Sequence, residues 1–196
     1  MDRRGILFVI SGPSGVGKGT IREELLKNVN NLNLSVSATT RSPREGEVDG
    51  RDYYYVSKDK FQQMADEQQF LEYAHVYNNM YGTPRPYVVE KLEQGQDVLL
   101  EIDIQGAMQI KKTMPDAVYI FIKPPSIDEL VSRLCGRGKD TQESIERRLV
   151  ACQSELLQVV YYDYVVVNDD LNDAVRDVQS IIQAERCRIK YYNLKG

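Results

Sequence analysis

The sequence predicts an α/β protein: a five-stranded parallel sheet with helices on both faces. Three observations carry this. Short apolar runs at 6–10, 34–38, 97–103, 118–122 and 164–167 read as strands. Segments with apolar residues at helical spacing separate several of them, as crossovers between parallel strands require. A glycine-rich turn stands between the first run and the first helix, a join common in such sheets.

In order along the chain, Ile6-Leu7-Phe8-Val9-Ile10 is a buried strand, and Thr20 to Lys27 is a helix with Ile21, Leu25 and Leu26 on one face. Leu34 to Ala38 alternates apolar and polar like a half-buried strand. The turning segment 39–52 follows, with Pro43, Gly46 and Asp49-Gly50 as its punctuation. Tyr53 to Val56 is a strand, and Ser57 opens a short helix carrying Phe61, Met64 and Ala65. From about 35 to 90 the strand–helix alternation breaks down, which predicts a small inserted subdomain. Alternation resumes with Asp97 to Asp103, an apolar strand ending in acid, and with Val118 to Ile122, stopped by Pro124-Pro125. Ser126-Ile127-Asp128-Glu129 is a capping box that opens a helix through Leu134. A basic, glycine-flexed hinge at 133–140 leads to a helix from Thr141. Tyr164 to Val167 is the last strand and 168–170 its exit loop. The final helix carries Leu171, Val175, Val178 and Ile182.

The first turn holds the most specific chemistry. Ser11-Gly12-Pro13-Ser14-Gly15-Val16-Gly17-Lys18-Gly19-Thr20 sits between strand and helix, the setting of a phosphate-binding loop. Glycines let successive N–H groups point inward, and the helix N-terminus and Lys18 add positive charge. A dinucleotide fingerprint fails on glycine spacing, and no acidic residue ends the next strand. The residue after Lys18, usually Ser or Thr for Mg²⁺, is Gly19, with Thr20 one place later; this changes how the metal is held.

Composition narrows the classes. In 196 residues, 42% are hydrophobic and 28% charged, one ordinary globular domain. A net charge of −4 argues against nucleic acid as a partner. Three widely spaced cysteines, Cys135, Cys152 and Cys187, form no metal or disulfide pattern and predict reduced thiols. No apolar run reaches the roughly 18 residues of a membrane span, and Met1 to Arg4 leave no room for a signal peptide. No membrane partner and a cytoplasmic location are therefore expected; the oligomeric state stays open.

Ligands of such sheets sit at the carboxyl ends of the strands. The loop, Ser37 to Arg44, Glu101, Asp103, the basic hinge and Asn168 all fall there, which suggests phosphoryl transfer between two bound molecules. Taken alone, Arg41 and Arg44 are either a bidentate phosphate grip or solvated charge. Arg133, Arg137, Arg147 and Arg148 are likewise either functional or a charged helix face. Lone His75 has no chemical partner nearby in sequence.

At this point the chain closely resembles the guanylate kinase family. The resemblance is carried by Gly12 to Lys18, by Ser35 to Arg44 with Gly46 to Tyr53, and by Phe70-Leu71-Glu72 and Tyr81-Gly82-Thr83. Further along it is carried by Leu100 to Gly106, Arg137-Gly138 through Arg148-Leu149, and Asn168 to Leu171. It implies a P-loop three-layer fold in a single domain of residues 1–196, with core segments at about 5–33, 91–124 and 151–190. A GMP-binding subdomain at about 34–90 and a lid at about 125–150 would be inserted into that core. The implied reaction is ATP + GMP = ADP + GDP with Mg²⁺, in purine metabolism and GMP recycling. The implied ATP site is Gly12, Pro13, Ser14, Gly15, Val16, Gly17, Lys18, Gly19, Thr20 and Asn168. Ser37, Arg41, Arg44, Tyr53, Glu72, Tyr81, Thr83, Glu101 and Asp103 would serve GMP. Thr20, and Asp103 through water, would attend the metal, while Lys18, Arg41, Arg133, Arg137 and Arg148 would stabilise the transferring group. A non-catalytic interaction module of the same fold is the rival from another class; intact loop glycines and Lys18 argue against it.

Overall fold

The computed structural model describes residues 3–76, 78–135 and 154–192, with only the backbone for 134 and 135. The predicted lid beyond 135, with Arg137, Arg147 and Arg148, lies outside the described residues, as does the side chain of Cys135 and all of Cys152. Cys187 is a free, exposed thiol.

The chain runs β1 (Leu7–Ser11), α1 (Lys18–Asn28), β2 (Leu32–Leu34), β3 (Ala38–Thr39), β4 (Tyr54–Tyr55), α2 (Lys58–Asp66), β5 (Phe70–Val76), β6 (Asn79–Pro84), α3 (Arg85–Glu93), β7 (Asp97–Glu101), α4 (Ile104–Thr113), β8 (Val118–Lys123) and α5 (Ile127–Cys135). Further along come a 3₁₀ turn (Leu157–Tyr161), β9 (Tyr164–Val167), α6 (Leu171–Arg186) and a last 3₁₀ turn (Ile189–Tyr191). Strands β2-β7-β1-β8-β9 form the predicted five-stranded parallel sheet, and β4-β3-β6-β5 form a second, smaller sheet.

The period-2 geometry of a strand explains the three layers. Phe8 and Ile10 of β1 point into one apolar cluster, with Ile21 and Leu25 of α1 and Val175, Val178 and Ile182 of α6. Leu7 and Val9 point the other way, into a cluster with Val88 and Leu92 of α3 and Ala107 and Ile110 of α4. Both faces are covered at the central strands β1, β7 and β8, which read as nearly unbroken apolar runs, whereas the edge strand β9 leaves Val165 and Val167 exposed. The small sheet has a modest core of its own: Ala38, Phe61 and Phe70, the two rings stacked at 4.5 Å.

Two local readings change. The expected strand 34–38 is divided between sheets: Leu34 pairs with Leu99 of β7, whereas Ala38 pairs with Gly82 of β6 and Tyr54 of β4. Ser35 still donates its N–H to the Leu99 carbonyl before the chain crosses over. Alternation fits either sheet and so cannot reveal the crossing. The second is helix α3, which the sequence did not reveal: Pro84 is its N-cap and Pro86 stands in its first turn, where proline is tolerated because the N–H groups lack helical partners anyway. The caps follow sequence logic: Ser57 Oγ accepts from the Lys60 N–H, Ser126 Oγ from Glu129, and Asp170 from Asn172 and Asp173.

At the amino ends of the strands, Asp97 is fully buried between two guanidiniums. Arg3 binds it through both nitrogens, at 2.8 and 3.1 Å, and Arg186 Nε at 2.7 Å; the Ile6 N–H adds a fourth bond at 2.9 Å. Asp97→Ala is expected to lower unfolding stability by about 3 kcal/mol or more, because partly buried charges lose their counter-ion. Urea unfolding checks this, and a loss under about 1 kcal/mol would contradict it.

Candidate active site

The turn from β1 to α1 is shaped by close backbone approaches. At Gly12, φ is +149°, and a Cβ would lie 2.1 Å from the Ile122 carbonyl oxygen. At Gly17, φ is +92°, and a Cβ would lie 2.5 Å from Asn168 Nδ2. Any side chain at either position would push the loop off β8 or off the end of β9. Asn168, buried, donates from Nδ2 to the Val16 carbonyl at 2.7 Å and so holds the loop from behind. Lys18, the first residue of α1, turns its ammonium back across the loop, donating to the Gly12 and Pro13 carbonyls at 2.5 and 3.0 Å.

The loop forms one end of a cavity of about 1030 Å³. Gly12, Ser14 and Lys18 line that end; Ser37, Arg41, Arg44, Tyr53 and Tyr81 line the other, on the small sheet and the turn before β4. Glu72, Glu101 and Asp103 also line it. Eleven of the residues singled out from sequence thus share one space. Pro13, Gly15, Val16, Gly17 and Gly19 belong to the loop and the start of α1 without lining the cavity, and Thr20 is exposed on the first turn of α1. Arg133 lies outside the cavity, donating to Glu129 at 2.9 Å and to the Asn168 carbonyl at 2.9 Å.

At the small-sheet end Arg41 is held in place. Its guanidinium meets the Glu47 carboxylate at 2.8 Å and lies 5.4 Å from the Tyr53 ring centre and 5.9 Å from that of Tyr55. Glu47 also accepts from the Arg44 N–H at 2.7 Å and the Tyr55 hydroxyl at 2.8 Å. These donors, Arg41 foremost, draw the Glu47 carboxyl down to about 2, while burial and Glu47 push the Tyr55 hydroxyl up to about 12.

The cavity also holds its most unusual acid. Glu72 is only 7% exposed, and its Oε1 accepts from the Thr83 hydroxyl at 2.6 Å. Burial pushes its pKa up to about 7, with the Thr83 hydrogen bond opposing and the nearby Asp103 charge adding to the rise. Asp103 caps α4, accepting from the Gly106 N–H at 2.8 Å. Glu101 lies 2.9 Å from the Arg22 guanidinium and faces Gly19.

Glu47 and Gln105, which stand within the quoted motifs but were given no role, also line the cavity, as do His75, likewise given none, and Met108, Ser154, Glu155 and Gln158, which sequence reasoning passed over. Glu47 lies inside the arginine-bearing segment, among the residues that carry the resemblance. Glu155 reaches the loop from far along the chain, near Lys18 and the Ser14 N–H, and no local pattern announces that.

Comparisons with known proteins point to one family. The family model described as guanylate kinase matches residues 4–185. A guanylate kinase of Syntrophomonas wolfei subsp. wolfei is 57% identical over 195 residues, covering 100% of both chains. One of Clostridioides difficile is 49% identical, covering 97% of this chain and 93% of that one. The crystal structure of guanylate kinase from Anaplasma phagocytophilum matches with a TM-score of 0.80 at 34% identity, over 97% of this chain and 90% of that one.

Proposed function

The chain belongs to the guanylate kinase family, and we propose that the two ends of its cavity hold ATP and GMP with the following division of labour. The reaction is phosphoryl transfer from ATP to GMP, giving ADP and GDP. The observation that carries the assignment of residues is one continuous cavity, with a phosphate cradle at one end and a guanidinium–tyrosine cluster beside a buried acid at the other.

On the donor side, the N–H groups of residues 12–17 and the Lys18 ammonium gather the triphosphate at the start of α1. Asn168 fixes that loop through Val16, and Gly19 and Thr20 continue it into the helix. On the acceptor side, Arg41 and Arg44 with the Tyr53 and Tyr81 hydroxyls take the GMP phosphate. Arg41 is already aimed by Glu47, so little of its rotamer freedom remains to be lost on binding. Glu72 accepts from guanine N1–H and the 2-amino group, while the Ser37 and Thr83 hydroxyls serve the base.

The fit to Mg²⁺ rests on the donor set. A metal carried on nucleotide phosphates needs only one or two protein oxygens. Asp103 through water, Glu101, and Thr20 at the start of α1 are the available oxygens. When bound, Mg²⁺ neutralises phosphate charge. Lys18 and Arg41 do the same from the protein side, joined by Arg133 and, from the lid, by Arg137 and Arg148. A GMP phosphate oxygen then attacks the γ-phosphorus in line, with ADP leaving. We assign the core, the GMP-binding part and the lid to the segments expected from sequence. Among the described residues no helix is long and apolar enough to cross a membrane, and a cytoplasmic enzyme of purine recycling is the setting that suits this reaction.

The test is ADP production from ATP and Mg²⁺ by the purified chain with each of GMP, AMP, CMP and UMP. Production that depends on GMP and is far weaker with the other three is expected. Equal use of all four would refute the base site.

A further inference from the structure

Gly106 has no conformational reason to be glycine. It sits in the first turn of α4, its φ is not positive, and it is buried. In a helix, alanine there would be favoured by about 1 kcal/mol. What the position lacks is room: a Cβ would lie 2.7 Å from Glu72 Oε2, 3.1 Å from Glu72 Cδ and 3.5 Å from Asp103 Oδ1. Contacts under about 3 Å do not occur for real Cβ atoms, so one partner must shift. The backbone of Gly106 is fastened by its N–H bond to Asp103, which caps the same helix. The carboxylate of Glu72 is the part that can move, and it is buried and bonded to Thr83 at 2.6 Å.

We propose that Gly106 is a specificity-determining residue: its missing side chain is the space in which the Glu72 carboxylate stands to read the base. Helix α4, part of the large core, thereby sets the position of an acid on the small sheet. One Glu72 oxygen accepts from Thr83 and the other lies beside α4 at Gly106. This rests on the reading of Glu72 as the acceptor for guanine.

The experiment is a double-mutant cycle with Gly106→Ala and Glu72→Asp, read as KM and kcat for GMP and AMP, KM for ATP, and melting temperature. Gly106→Ala is expected to melt no lower than the wild type and to keep its KM for ATP. Its KM for GMP should rise by about tenfold or more, and its preference for GMP over AMP should fall. In the Glu72→Asp background, where the shorter acid leaves the Cβ room, adding Gly106→Ala should change the KM for GMP less than about threefold. Equal penalties in the two backgrounds, or no change in KM for GMP, would overturn the proposal. So would a Gly106→Ala chain that fails to fold in either background, since the crowding would then fall on more than the reach of the Glu72 carboxylate. Glu72→Gln separates the two readings. If it leaves the GMP preference intact, the base-site assignment fails; if it removes that preference while Gly106→Ala does not, only the present inference fails.

Discussion

Lys18→Ala is expected to lower kcat about 10³-fold while leaving the melting temperature within a few degrees of the wild type. Donor and acceptor are both polyanions, and their repulsion grows as the γ-phosphoryl group approaches the GMP oxygen. Cations fixed around that group are worth roughly 10³–10⁵ in rate. Lys18 is fixed in this sense: its ammonium already lies across the loop, on the Gly12 and Pro13 carbonyls. The apolar packing of α1 depends on Ile21 and Leu25 and not on this side chain. Steady-state kinetics and a thermal melt on the same preparation check both halves. Turnover within tenfold of the wild type would remove Lys18 from the mechanism.

Glu72→Gln should collapse the preference for GMP over AMP, a preference that a buried acceptor can make as large as about 10⁴-fold. With Oε1 of the amide still accepting from Thr83, its NH₂ would face the guanine N1–H and 2-amino group, donor against donor. Adenine presents an acceptor at N1 and no 2-amino group, so the same change favours it. The pH dependence carries an independent sign. With its pKa raised to about 7 in the free enzyme, Glu72 is largely neutral at pH 6, and binding GMP requires loss of that proton. The KM for GMP should therefore fall as pH rises through 7 and level off above it. In Glu72→Gln the part of this dependence that belongs to the acid should vanish, leaving only the titration of GMP itself. Identical pH profiles for the two proteins would rule the role out.

Much of the turn between β1 and α1 was legible because its signals are local. Six loop residues, a lysine and a flanking strand and helix are contiguous, and Gly12 and Gly17 are required there by contacts with the Ile122 carbonyl and Asn168. The buried strands were legible because covering both faces of a sheet leaves no polar alternation to misread. What could not be read depends on partners distant in sequence. The division of 34–38 between two sheets is decided by Leu99 on one side and Gly82 on the other. Glu155 meets the loop across some 140 residues, and the space at Gly106 has meaning only once Glu72 is seen to fill it. Helix α3 falls in the stretch where the strand–helix alternation breaks down, and its first turn accommodates a proline.

The modest core of the small sheet has a consequence for timing. Three fully buried apolar residues, against some thirty in the two clusters that sandwich the large sheet, leave that part of the chain the least effort to open. Its amide protons should trade with solvent long before those of β1 or β8, and a bound guanine nucleotide, by bracing Glu72 and Arg41 together, would slow that trade most where the apolar padding is thinnest.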